Sequence, residues 1–235
     1  DGSISNLGEL GWDVPTVFER LLRAPERTLD ALEGPFTVAC VDEADDRVLL
    51  GTDKIGSRPP YYAARDGFVF GSGLAPLLTV LDDPTLSDQG VSDLLLLGHM
   101  WSDTTIVSGV RSVHPATVVE YDGGALTERR YWKPDYRPSR PTDAYFHELT
   151  NAYQRAVERT AGSVTGDVGI WLSGGLDSRA TVAELARCYR DGAGFDSLST
   201  FTYDSNPGGG VNPRLARDVA RTLELPNETV PLTPD

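Results

Sequence analysis

The sequence is short of lysine, cysteine and methionine. Only Lys54 and Lys133 are lysines among 21 basic residues, which face 35 acidic ones for a formal charge of −14. So few cations exclude the basic stripes that bind nucleic acid or anionic lipid, because either partner would meet net repulsion and release few counterions. Acid-rich, lysine-poor composition suits concentrated salt, where screening relieves self-repulsion, so a halophilic source is expected. The two cysteines, Cys40 and Cys188, stand in apolar runs with no C-x-x-C or Cys/His spacing. That argues against a zinc cluster or disulfide framework and for buried thiols. No apolar run approaches the roughly 18 residues of a membrane span, and the first residues lack the basic, apolar and small-residue order of a signal peptide. A cytoplasmic protein without membrane contact is the expectation.

What is present is enough apolar sequence, 40% of 235 residues, for one large or two small domains. The texture changes near residue 137, where Arg137-Pro138-Ser139-Arg140-Pro141-Thr142 carries two prolines that block helix and strand pairing. Residues 137–141 therefore read as a linker between domains at 1–136 and 142–235. Before it, short apolar runs alternate with turns: 36–41, 48–51, 61–63, 68–71, 117–121 and 129–132. Asp45-Asp46 and Asp66-Gly67 fall where hairpin turns belong. With helices expected at 14–23 and 92–98, the first part reads as an antiparallel α+β domain. After the linker, helix and strand alternate. Phe146, Leu149, Tyr153 and Val157 make one apolar stripe on a helix starting near Thr142. The run 168–172 predicts a strand buried on both faces, repeated at 198–203 and 228–232, with Leu215, Val219 and Leu223 marking a helix between the last two. This pattern predicts a parallel sheet covered by helices, with ligands at the strands' carboxyl ends.

The strand at 168–172 runs straight into Ser173-Gly174-Gly175-Leu176-Asp177-Ser178 and then into a helix expected over 179–189. Two glycines let backbone amides approach an anion with no Cβ in the way, and the helix turns its positive end to the same place. Ser173 and Ser178 can add hydroxyl donors, and Asp177 can hold a Mg²⁺ that bridges phosphate oxygens. A strand-to-helix turn capped by Ser or Asp is the plainer explanation of such a string. Its full length and its place between strand and helix favour a nucleotide phosphate site. Neither G-x-x-x-x-G-K-[ST] nor G-x-G-x-x-G occurs near it.

This string resembles the PP-loop of the ATP pyrophosphatases, and with Leu at its fourth position it looks most like the asparagine-synthetase branch. The resemblance implies an α/β parallel-sheet PP-loop domain of the adenine nucleotide alpha hydrolase-like kind. In that family ATP's triphosphate lies on the loop, here Ser173 to Ser178, and Leu172 and Tyr203 would flank the adenine. Arg179 stands where the family often has a second Ser. Gly51-Thr52-Asp53-Lys54-Ile55-Gly56-Ser57-Arg58-Pro59-Pro60-Tyr61-Tyr62 is similar to the G-R-D-x-x-G-x-x-P-L-Y-Y segment of class II glutamine amidotransferases, and Gly34-Pro35-Phe36 to the G-x-F before it. An NTN-type amidotransferase-like domain is therefore implied for the first part.

Asp1-Gly2-Ser3-Ile4-Ser5-Asn6 is similar in register to the N-G-E-I-Y-N segment that supplies the family's oxyanion hole. Asp1 stands for the Asn, and a carboxylate there would repel a developing oxyanion. Asp13 corresponds either to the carboxylate that binds the glutamine amine or to a helix N-cap. By resemblance both domains are truncated: the family's N-terminal cysteine nucleophile would precede residue 1, and its second glycine-rich loop and essential lysine would follow residue 235.

The implied activity is a carbon–nitrogen ligase using Mg²⁺ and ATP, in which aspartate's side-chain carboxylate is adenylated, pyrophosphate leaves, and ammonia from glutamine forms the amide. A β-lactam or macrolactam synthetase and a non-catalytic nucleotide-binding homologue are the alternatives. Small molecules are the expected partners, and a homodimer is compatible with the resemblance. A sulfur-transferring relative acting on tRNA is disfavoured by the acidic charge and the lack of paired cysteines. His99, His114 and His147 are scattered and read as structural. Gly208-Gly209-Gly210 reads equally as a phosphate-facing loop or a flexible connection.

Overall fold

Leu49 and Leu50 are adjacent, yet each is buried in a different layer, and that alternation organises the first part of the chain. The computed structural model describes residues 1–65, 67–136, 141–204 and 210–232. The chain divides into two compact units, Asp1–Arg137 and Pro138–Asp235. In the first unit, strands β1 (Thr37–Asp42), β2 (Arg47–Thr52), β6 (Thr117–Asp122) and β7 (Ala125–Arg130) form an antiparallel sheet in the order β1-β2-β6-β7. A smaller antiparallel sheet, β4-β3-β5, joins β3 (Tyr61–Ala64), β4 (Phe68–Gly71) and β5 (Arg111–Ser112).

Leu49, Cys40 and Val118 face α2 (Val14–Arg23) and α3 (Pro25–Ala31), which bury Val17, Leu21 and Leu29 against them. Leu50 and Val119 face the other way, onto Tyr62 of the small sheet. Ala63, the next residue, packs with Leu77 of α4 (Leu74–Leu78). Helix, sheet, sheet and helix are thus stacked by one-residue alternation along β2 and β3. The antiparallel α+β organisation expected of this part is observed.

Several boundaries differ from expectation for identifiable reasons. The helix expected at 92–98 is α5 (Asp88–Leu97): Ser87 Oγ accepts the Gly90 amide at 3.1 Å and so starts it earlier. The last strand ends at Arg130 rather than Trp132, and Tyr131 turns inward to donate its hydroxyl to Thr52 O at 2.6 Å. Asp45-Asp46 does lie in a turn, where Asp46 takes a positive φ of 50°. α1 (Leu7–Leu10), α3, α4 and β5 carry too few residues for periodicity to reveal them. Asp66 and residues 137–140, on which a turn and most of the linker were placed, lie outside the described residues, as do Gly208 and Gly209.

The second unit runs α6 (Asp143–Gly162), β8 (Asp167–Trp171), α7 (Leu176–Arg190), β9 (Ser197–Asp204), α8 (Val211–Thr222), β10 (Asn227–Pro231). Its three strands are parallel in the order β10-β9-β8. A sheet that grows in one direction through right-handed crossovers collects successive helices on one face. Val168, Ile170, Leu198 and Leu172 accordingly pack under α6, α7 and α8.

The opposite face carries Gly169, Trp171, Phe201 and Tyr203, and Trp171 remains 59% exposed. The expectation of a strand at 168–172 buried on both faces is therefore corrected: among the described residues one face is covered. The apolar stripe of α6 is corrected likewise. Its C-terminal half, Val157 and Ala161, packs on the core, whereas Phe146 and Leu149 are 54% and 53% exposed.

Candidate functional site

Strand β8 delivers Leu172 into the sheet and then stops pairing. Leu172 is buried, its amide donates to Phe201 O at 2.8 Å, and its carbonyl accepts Thr202 Oγ1 at 2.9 Å. Its N–H and one lone pair of its carbonyl are thereby taken up within the sheet. The chain next closes a tight loop on two hydroxyls. Ser173 N donates to Ser178 Oγ at 3.2 Å, the two side-chain oxygens are 2.8 Å apart, and Gly175 N donates to Ser173 Oγ at 3.2 Å.

The hydroxyls expected to be free donors are thus engaged in holding the loop. Helix α7 begins at Leu176, not at 179, because these bonds wind the Asp177-Ser178 segment into its first turn. The plain explanation, a turn capped by Ser or Asp, does not describe this end. The N-cap is Gly175, with no side-chain acceptor over the first-turn amides. Those amides and the helix dipole are left to the space in front of them.

A second helix start meets the same place. Gly210 is the N-cap of α8, again without a side-chain cap. A Cβ built on Gly174 would lie 2.6 Å from Asn212 Oδ1 and 3.2 Å from Asn212 Cα, so only glycine lets the loop pass α8 this closely. Between the two helix starts and the ends of β8 and β9 opens a cavity of about 200 Å³. Leu172, Ser173, Thr202, Tyr203, Asp204 and residues 210–213 line it.

Tyr203, 57% exposed, stands edge-on to Trp171 with ring centroids 6.2 Å apart. Asp177 is exposed in the first turn of α7, and Leu176 beside it is exposed as well. Arg179 reaches back to Gly175, Nε to O at 3.1 Å. The structure thus brings Leu172, Ser173 and Tyr203 to one cavity, whereas Gly174, Gly175, Leu176, Asp177 and Ser178 follow in the adjoining loop and first turn of α7 and do not line it. Asn212 and Asp204 belong to it too. Sequence reading missed both, and the helix starting after Gly210 was the signal that could have found them.

The residues assigned to glutamine lie in the first unit. Gly2 bridges Phe36 in antiparallel fashion, and Asp1 exchanges backbone hydrogen bonds with Thr37 at 2.9 and 2.8 Å. Gly2 and Gly34 hold φ of 107° and 122° at this crossing, and a Cβ on either would meet a carbonyl oxygen at 2.1 or 2.2 Å. The Asp1 carboxylate lies 3.4 Å from Arg58 Nη1. Asp1 and Gly2, with Val14 and Phe36, line a cavity of about 300 Å³.

Asp13 turns to helix α2, where its Oδ1 accepts Thr16 N at 2.9 Å and also the Thr16 hydroxyl, which holds its carboxyl below the usual range. The N-cap alternative for Asp13 is therefore what this geometry shows. Asp53, in the segment similar to G-R-D-x-x-G-x-x-P-L-Y-Y, is buried and accepts Phe36 N, Ile55 N and Ser57 N at 3.0 to 3.1 Å. It ties the turn after β2 to the start of β1. Cys40 and Cys188 are buried thiols, as expected.

A family model described as a glutamine amidotransferase domain matches residues 13–132, and one described as asparagine synthase matches residues 148–235. The chain is similar to "Asparagine synthetase [glutamine-hydrolyzing] 3" of Bacillus subtilis (strain 168), 26% identical over 197 residues that cover 82% of this chain and 32% of the relative. It is also similar to "Asparagine synthetase [glutamine-hydrolyzing] 2" of the same organism, 26% identical over 219 residues, 86% of this chain and 28% of the relative. The chain thus spans about a third or less of the curated relatives it matches. A solved structure titled as the allosteric regulatory enzyme of purine biosynthesis covers 100% of this chain and 59% of that one at 12% identity, with a TM-score of 0.37, too low to argue from.

Proposed function

The chain belongs to the family of glutamine-hydrolysing asparagine synthetases, an amidotransferase region followed by an asparagine synthase region, and from that premise we propose that it is part of an ATP-dependent amide ligase. ATP would lay its triphosphate across the first turns of α7 and α8. An oxygen of aspartate's side-chain carboxylate attacks the α-phosphorus, pyrophosphate departs with the electron pair of the broken P–O bond, and the acyl-adenylate is left. Ammonia released from glutamine then attacks the acyl carbon, and AMP leaves as the amide forms.

The observation that supports this reading most is the meeting of two helix N-termini, each capped by glycine, at the carboxyl ends of β8 and β9. Oriented amides there would stabilise negative charge as it shifts onto the departing pyrophosphate. Mg²⁺ fits as an ion that arrives with the nucleotide. Asp177, exposed in the first turn of α7, would hold a Mg²⁺ there, and the ion would offset phosphate charge. For the glutamine half, Asp1 and Gly2 are the proposed contacts, and Arg58 offsets the charge of Asp1, while Asp13 serves as the N-cap of α2.

Calorimetry of Mg·ATP binding in high salt tests the site, with Asp177→Ala and Gly175→Val as variants. Binding by the parent chain that both variants lose is the expected result. ATP–pyrophosphate exchange in a chain that spans the whole length of the relatives tests the reaction. Exchange that depends on aspartate is expected; dependence on another carboxylic acid would move the reading to a lactam-forming relative. Absence of exchange with any acid would sink the ligase reading.

A further inference from the structure

The groove between α2 and α3 gathers positive charge, with Arg20 and Arg23 in the last turn of α2, where cations complement the helix dipole, and Arg27 on α3. It has a volume of about 670 Å³, and Trp12, Arg20, Arg23 and Arg27 line it. Acidic partners stand at suitable helical spacing, Glu19 four residues before Arg23 and Asp30 three after Arg27. Neither pair closes into an ion pair: among the described residues the side chains of Arg23 and Arg27 have no hydrogen-bond or ion-pair partner, and Asp30 goes to Lys54 at 3.6 Å. Elsewhere in this unit Arg47, Arg58, Arg111 and Arg129 all meet carboxylates. Arg20 is held in place, its guanidinium carbon 4.3 Å from the ring centroid of Trp12, which itself packs on the core. Glu19 and Asp30 also face the groove, yet with Lys54 beside Asp30 the balance stays positive in a chain whose net charge is −14.

We propose that this groove is a binding site for a small anion bearing several phosphates, held by Arg20, Arg23 and Arg27 and independent of the loop at 173–178. Guanidiniums offer paired N–H donors that match phosphate oxygens, and three of them suit a multiply charged ligand better than a single carboxylate. Prior fixing of Arg20 on Trp12 lowers the ordering cost of binding.

The test uses ¹⁹F NMR of protein labelled with 5-fluorotryptophan, whose four tryptophans give four lines. Trp12→Phe assigns the groove reporter, and Trp171 reports on the sheet beside the loop. Tripolyphosphate added at constant ionic strength is expected to move the Trp12 line saturably. The affinity so measured falls about tenfold or more in Arg23→Gln/Arg27→Gln, returns in part in Arg23→Lys/Arg27→Lys, and is unchanged in Gly174→Ala. The other three lines, unmoved in the double variants, show that the fold is kept. A Trp12 line that does not saturate, or that responds equally in Arg23→Gln/Arg27→Gln, overturns the proposal.

Discussion

Gly174 sits where the loop passes closest to α8, and a methyl group there would press on Asn212 backbone as well as side chain. Relieving the contact means turning the Asn212 side chain away and shifting its backbone by a few tenths of an ångström, at a cost of about 1–3 kcal/mol for a forced overpacking. Gly174→Ala is therefore expected to weaken Mg·ATP binding by about tenfold or more, read by calorimetry, while circular dichroism shows the helices retained. A different residue carries the pH dependence. Burial pushes Glu120 up, but the Arg129 hydrogen bond and the charges of Arg47 and Arg129 outweigh it, so its carboxyl ends below the usual range. A carboxylate with a depressed folded pKa contributes stability above its unfolded pKa and loses it as pH falls through the folded value. Glu120→Gln should lower stability by about 1–3 kcal/mol at neutral pH. Urea unfolding at pH 7 and again near pH 3 checks it, since the difference between parent and variant should shrink in acid.

At the scale of elements, α8 is tied to the sheet by small residues. Ala216 and Ala220 are fully buried with Leu172 and Val182, so helix and strand meet without room for a longer side chain. Ala216→Leu is expected to destabilise the second unit by about 1–3 kcal/mol in urea titration and to weaken nucleotide binding with it, because the same helix positions Gly210 and Asn212. Were stability lost but binding unchanged, α8 would not border the nucleotide. The strands at 168–172 and 198–203 were legible because they are apolar runs between turn residues, and α2 because Pro15 and Asp13 mark its start. β5 was not legible, since a strand of two residues has no period. The start of α7 was misplaced for another reason. Ser173 and Ser178 bond each other across the loop, an arrangement that propensity does not contain.

For the whole molecule, 35 acidic residues on a chain with 21 basic ones create self-repulsion that added salt relieves. The melting temperature is expected to rise by several degrees, on the order of 5 °C, between about 0.1 and 2 M KCl, with most of the gain below 1 M, where the Debye length has already shrunk to about 3 Å. Differential scanning calorimetry checks this, and a melting temperature independent of salt would remove the case for a halophilic source. Sequence by itself determined the charge balance, the change of texture near residue 137, and the Ser173-to-Ser178 string between strand and helix. These are local properties, written in neighbouring residues. Tertiary structure alone decided which face of the parallel sheet is covered and that α8 brings a second helix start to the loop. Each of these depends on where distant segments are carried by packing, and no local pattern encodes the direction in which a side chain finds its partner.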